Sequence, residues 1–198
     1  MLDRAWCAAV VTAAGASSRM GRPKALVELG GVPLLARQLA ALTGFGQRLV
    51  VLGAHAEAIR AGVHLSEATV VDNPAWPSGR SSSLRCGFAA VSSQARAVVV
   101  AGVDQPIDAA VVDALLAAFD PATHACALPI AGDRRGHPAL LNAALLDPHL
   151  RHLPDDSTLR DVLARFADAT LEVPVQSAVT LANLNSEADV VALARELS

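Results

Sequence analysis

Two basic residues beside a glycine-bearing turn, and one acidic residue ending an apolar run, are the groups here best placed to do chemistry. Arg19 and Lys24 follow the turn Thr12-Ala13-Ala14-Gly15, and the apolar run Cys7 to Val11 feeds that turn. Small residues let a backbone approach a ligand, amides can point inward, and Arg and Lys neutralise charge. The combination suits a polyphosphate. It is not a P-loop, because Arg22 and Pro23 separate Gly21 from Lys24. Nor is it the dinucleotide pattern, because Gly15 lacks two further glycines at set positions. Asp104 follows Ala97–Val103, the most continuous apolar run in the chain. A carboxylate there, facing a triphosphate loop, can hold Mg²⁺, which takes one or two protein carboxylates plus phosphate oxygens. The competing expectation is that Asp104 caps a helix beginning near Ile107.

Other polar groups are weaker candidates. Ser81, Ser82 and Ser83 precede a helical pattern, where they can cap it or grip a base or phosphate. His137 stands alone in Arg135-Gly136-His137-Pro138, and a lone histidine is more often structural than catalytic. His149 and His152 straddle a proline and read as solvent-exposed, not as zinc ligands. Cys7, Cys86 and Cys126 form no CxxC pair and lack a nearby base, which argues against a thiol nucleophile. Their odd number and wide spacing fit a reducing cytoplasm better than a disulfide scaffold.

The elements that must position these groups alternate. Strands are expected at Cys7–Ala13, Arg48–Leu52, Thr69–Val71, Ala97–Val103, Ala125–Ile130 and Leu171–Val175, with another at Pro138–Leu141. Helices are expected from Leu34 to Leu42, then at His55–Gly62, Ser81–Val91, Ala109–Phe119, Thr158–Phe166 and Ser186–Leu197. The stretch Asp147 to Asp156, rich in Pro and Asp, reads as a loop. Such alternation of buried strands and helices indicates an α/β fold, a mainly parallel sheet with helices on both faces. Residues 1–198 are expected to form one domain. Ligands of such sheets sit outside the carboxyl ends of the strands. The basic loop, the segment Asp72 to Leu84, and Gly102-Val103-Asp104-Gln105-Pro106 all fall there.

Composition sets limits. The chain is 53 % hydrophobic but only 3 % aromatic, so its core is built from Ala, Val and Leu. A net charge of −3 argues against a nucleic-acid-coating surface. No apolar run reaches the length of a membrane span. The first residues carry Asp3 and lack the long apolar stretch of a signal peptide.

TAAGASSRMGRPKAL, DNPAWPSGRSSSLRCGF, AGVDQP, RRGHPALL and NLNSEADV together resemble, in order and spacing, the signatures of the molybdenum-cofactor nucleotidyltransferases. The resemblance covers nearly the whole chain and implies a Rossmann-like nucleotidyltransferase domain. It implies that Ala13, Ala14 and Gly15 supply the turn accepting the nucleotide, that Arg19 and Lys24 contact its phosphates, and that Ser82, Ser83 and Leu84 lie along it. Asp104 would bind Mg²⁺, with Asn183 and Asn185 near the metal or its waters. Arg135, Gly136, His137 and Pro138 would border the second substrate. The Ala-Ala-Gly turn with Pro23-Lys24 resembles the cytidylyltransferase branch, which implies CTP as donor, a molybdopterin-type acceptor and a molybdoenzyme as eventual partner. Two other functions stay open: a sugar- or alcohol-phosphate nucleotidyltransferase, and a nucleotide-binding chaperone for molybdoenzyme maturation. The chain departs from the family pattern at Thr12, at Val103, at Asn183 and Asn185 where Asp is common, and at Asp155-Asp156-Ser157-Thr158-Leu159-Arg160.

Overall fold

A computed structural model describes residues 2–197. Its strands are β1 (Cys7–Ala13), β2 (Glu28–Leu29), β3 (Val32–Pro33), β4 (Gln47–Leu52), β5 (Thr69–Asp72), β6 (Ala97–Gly102), β7 (Cys126–Ala131), β8 (Arg134–Arg135), β9 (Ala139–Asn142) and β10 (Thr170–Pro174). Its helices are α1 (Leu34–Ala41), α2 (Ala56–Gly62), α3 (Arg80–Ala89), α4 (Ala109–Ala118), α5 (Ala143–Arg151), α6 (Leu159–Ala164) and α7 (Glu187–Glu196). The main sheet runs β10-β7-β9-β6-β1-β4-β5, with β8 against β7. Pairing is parallel throughout except where β9 meets β6 and β7, and where β8 meets β7.

The continuous apolar runs are explained by burial on both faces. In β1, Cys7, Ala9 and Val11 enter one core, and Ala8 and Val10 enter the other. Val50 and Leu52 of β4 divide from Leu49 and Val51 in the same way. Helices α1, α4 and α7 bury Leu35, Leu115 and Leu193 in the first core, while α3 and α5 bury Phe88 and Leu146 in the second. Both helix layers therefore exist because neither face of the strands is polar. Among the described residues no helix is long and apolar enough to cross a membrane.

One expectation needs correction, and two features of the fold stand beside it. The stretch from Asp147 is not all loop: α5 runs through Pro148 to Arg151. The cost of an interior proline is offset by full burial of Leu146 and Leu150, the Asn142 cap on Leu145 and the Arg151–Asp147 pair at 2.5 Å. The strand at 139–142 runs against its neighbours. A small hairpin, β2–β3, also precedes α1, turned by Gly30 and Gly31 at φ of 63° and 75°. Two successive residues with positive φ define a type I′ turn, which favours glycine at both positions.

Candidate functional site

Register places the polar loops together. Ala13 pairs with Leu52, Leu52 with Asp72, and Thr12 with Gly102. Strands β1, β4, β5 and β6 thus end at nearly one level of the sheet. Because β9 is antiparallel, the segment 136–138 entering it lies at the same edge.

The basic loop is stitched down on both sides. Ala54 N donates to the Ala14 carbonyl at 3.0 Å, and His55 Nε2 donates to the Ala16 carbonyl at 2.9 Å. A Cβ at Gly53 would lie 2.6 Å from that Ala14 oxygen, so the two strand ends can meet only through glycine. Ser17 takes the left-handed conformation, φ 52°, and its hydroxyl accepts from Lys24 N at 3.1 Å. That bond closes the loop and offsets a conformation that costs a non-glycine residue roughly 1 kcal/mol. Arg22 reaches Glu187 of α7 at 2.7 Å. Arg19 is exposed on the outer rim of the same loop.

The loop delivers Lys24 to the end of β6. Its ammonium donates to Asp104 Oδ2 at 3.1 Å and to Asn185 Oδ1 at 2.9 Å. Both charged side chains are mostly enclosed, Lys24 being 14 % and Asp104 24 % exposed. Asp104 does not cap the following helix. Asp108 does, accepting from Ala110 N at 2.9 Å. Asp104 is held instead through its backbone, whose carbonyl accepts from Leu184 N at 2.8 Å. Its Oδ1 lies over Gly102, where a Cβ would come within 2.5 Å. Asn185 is fixed in turn by Asp189, whose carboxylate accepts from Asn185 N and Ser186 N, both at 2.8 Å. These bonds, that from Asn185 N first, pull the Asp189 carboxyl below its ordinary range.

Two glutamines complete the frame. Gln38, on the buried face of α1, donates through Nε2 to the carbonyls of Gly102 at 2.9 Å and Gln105 at 2.8 Å. Gln105 accepts from Gly102 N at 3.1 Å and donates to Asn183 Oδ1 at 3.2 Å. Gln38 has no role in the sequence reading. Its signal was present nonetheless: a polar residue at an inward position between Leu34, Leu35 and Leu39.

The serine cluster is framed differently. Gly79, not a serine, is the N-cap of α3. Buried Asn73, at the end of β5, donates to the Ser82 and Ser83 hydroxyls at 2.9 and 3.1 Å. Ser82, Ser83 and Leu84 are themselves buried, so they shape the wall of the edge more than its mouth. The segment Asp155 to Arg160 folds onto this helix: Ser81 donates to the Asp155 carbonyl and Arg85 pairs with its carboxylate.

Of the remaining candidates, Arg135 is exposed and pairs with Glu172 of β10 at 2.6 Å. Gly136 packs on Thr180, with no room for a side chain. His137 and Pro138 are buried. Burial pushes the His137 pKa down to about 4, against the opposing pull of the Pro106 carbonyl, the Asp104 charge and the Val179 carbonyl. The ring is therefore neutral at pH 7, and its Nε2 has no hydrogen-bond partner. All three cysteines are free, and burial raises each thiol, Cys7 to about 11, so none is poised as a nucleophile.

A metal would find few ligands here. Among the described residues no three His, Cys, Asp or Glu side chains converge as a metal site. Asp104 Oδ2 and Asn185 Oδ1 do converge, on the Lys24 ammonium, which marks where a cation sits. One carboxylate plus one amide oxygen fits Mg²⁺ that arrives with phosphate ligands of its own.

Known proteins share this arrangement of chain. The family described as the MobA-like NTP transferase domain matches residues 9–171. Nicotine blue oxidoreductase of Paenarthrobacter nicotinovorans is 37 % identical over 145 residues, 69 % of this chain and 71 % of that protein. The crystal structure of an Rv0371c homologue from Mycobacterium sp. strain JC1 superposes with a TM-score of 0.82 at 26 % identity, over 98 % of both chains. Rv0371c of Mycobacterium tuberculosis, in a complex with manganese, gives a TM-score of 0.74 at 25 % identity, over 96 % of this chain and 98 % of that one.

Proposed function

The chain belongs to the MobA-like NTP transferase domain family, and on that premise we propose that it transfers CMP from CTP to a molybdopterin-type acceptor and releases pyrophosphate. The observation that carries this reading is the meeting of Lys24, Asp104 and Asn185 at the carboxyl edge of the sheet. The triphosphate lies along the turn Ala13-Ala14-Gly15, whose small residues admit it. Lys24 and Arg19 neutralise its phosphates. An oxygen of the acceptor's phosphate bonds to the α-phosphorus as the bond to the β-phosphate oxygen breaks. No side-chain nucleophile is needed, because the acceptor is already ionised. The protein's contribution is alignment and neutralisation of developing charge. Asp104, beside the Asn185 amide oxygen, would hold Mg²⁺, which when bound would supply Lewis-acid polarisation of a phosphate.

CTP is favoured over GTP by the resemblance of Ala13-Ala14-Gly15 and Pro23-Lys24 to the cytidylyltransferase branch. The neutral His137 and buried Pro138 back the acceptor side, and Arg135 gives it a cation at the rim. A molybdoenzyme is the natural recipient of the product, and three free cysteines support a cytoplasmic setting. A redox reading draws on one observation, the identity shared with nicotine blue oxidoreductase. It requires a dinucleotide to use the same loop.

Thermal stability with CTP, GTP, ATP or UTP plus Mg²⁺ tests the donor. A ligand at a hundred times its Kd adds about 2.7 kcal/mol, so CTP should raise the melting temperature most. A clear preference for GTP overturns the choice of base. Pyrophosphate release with a molybdopterin, sugar-phosphate or alcohol-phosphate acceptor separates the transferase readings. No release with any of them supports a chaperone, and oxidation of a reduced dinucleotide coupled to reduction of an added electron-accepting dye, with no phosphate acceptor present, supports the redox reading.

A further inference from the structure

The site holds a cation of its own. We propose that the Lys24 ammonium occupies the divalent-metal position in the ligand-free protein, so that metal joins only together with the nucleotide that draws Lys24 away. The proposal rests on the reading of Asp104 as metal ligand given above.

Three features support it. First, Asp104 Oδ2 and Asn185 Oδ1 both lie within 3.1 Å of one nitrogen, which is how two ligands of a small cation would be arranged. Second, the backbones that carry both oxygens are held independently of Lys24. Leu184 N, together with the loop pinned by Gln38, fixes Asp104, and Asp189 fixes Asn185. The two residues are thus positioned before any metal arrives. Third, Lys24 and Asp104 cancel in charge, and the nearby Asp189 carboxylate, which also feels the Lys24 charge, is committed to Asn185 N and Ser186 N. A divalent ion approaching alone finds the carboxylate's charge already cancelled and must push the ammonium out of the position it needs. In a partly enclosed site the repulsion between the two cations is large compared with a surface pair, because solvent screens it less.

A triphosphate changes the balance. It brings several negative charges to the loop that carries Lys24. The lysine stem is long and flexible, and its ammonium is a mobile point charge. Moving it onto phosphate keeps the ammonium paired and uncovers the two oxygens at the moment phosphate ligands for the metal become available. Binding is therefore ordered by charge rather than by a moving domain.

The test is Mn²⁺ binding to the nucleotide-free protein, followed by the signal of free Mn²⁺ in electron paramagnetic resonance. Wild type should bind weakly. Lys24→Met and the more polar Lys24→Gln should each bind Mn²⁺ at least about tenfold more tightly, the scale of removing a competing charge at contact distance. Adding Asp104→Asn to either should abolish the gain. Equal affinity in wild type and in both lysine variants overturns the proposal, as does a gain that survives loss of the carboxylate. A second arm measures Mn²⁺-dependent CTP binding to wild type and to Asp104→Asn alone. If Asp104→Asn binds as well as wild type, the reading of the metal ligand fails. If it binds poorly while the lysine variants show no gain, only the role given to Lys24 fails.

Discussion

Asp104 and Asp108 stand one turn apart in sequence and do different work. Asp108 caps α4 and also accepts from the Ser177 hydroxyl at 2.7 Å. Asp108→Ala should cost about 1–2 kcal/mol, as loss of an N-cap does, and should lower turnover far less than a change at Asp104. Urea unfolding and pyrophosphate release on the one variant check both halves. His137 makes a different prediction. Its folded pKa, about 4, lies below the ordinary 6.5, so the unfolded chain binds the proton first as pH falls. Its contribution is complete above about pH 6.5 and declines toward pH 4, below which it changes no further. That amounts to about 2 kcal/mol between pH 7 and pH 5. His137→Gln should remove that part of the slope, read from unfolding free energies at the two values. An unchanged slope would mean the ring is not kept neutral. At this scale Lys24 and Asp104 were legible, because a charge beside a glycine turn or at the end of an apolar strand is conspicuous. Gln38 was not. Its partners are backbone carbonyls of a loop far away in sequence, and nothing in local spacing announces them.

Elements carry these residues with little slack. The end of β6 needs glycine because the Asp104 carboxylate lies over Gly102. Gly102→Ala should force that carboxylate to swing, and a displacement of this size costs about one to two orders of magnitude in turnover. The fold should survive, since only a side chain must move. Retained turnover would show that the carboxylate's position over Gly102 is not the one used. The strands of both central β-α units were readable from unbroken apolar runs. Helix α5 was not, because a proline and two aspartates suggest a loop, while the burial of Leu146 and Leu150 that outweighs them is tertiary. The direction of β9 was equally hidden: a four-residue apolar strand has no polarity of its own. The hairpin β2–β3 had a signal in Gly30-Gly31, masked by the shortness of its two-residue strands.

The whole molecule explains why a chain of net charge −3 can serve an anionic ligand. Parallel strands end together, and their loops gather Arg19, Arg22 and Lys24 on one edge, where Glu187 and Asp104 hold Arg22 and Lys24 until a phosphate competes for them. That convergence followed from the alternation of strands and helices in the sequence. The Lys24–Asn185 contact did not, because it joins residues from opposite ends of the chain through a register that only the folded sheet supplies. The central claim is that this edge transfers a nucleotidyl group with Asp104 as its metal carboxylate. The most direct test is pyrophosphate release from CTP and Mg²⁺ with a molybdopterin acceptor, measured for wild type and Asp104→Asn beside their melting temperatures. The predicted result is a fall in turnover of about two orders of magnitude or more, the scale of one lost electrostatic stabiliser, with little change in melting temperature. Turnover close to wild type in the folded variant would contradict it.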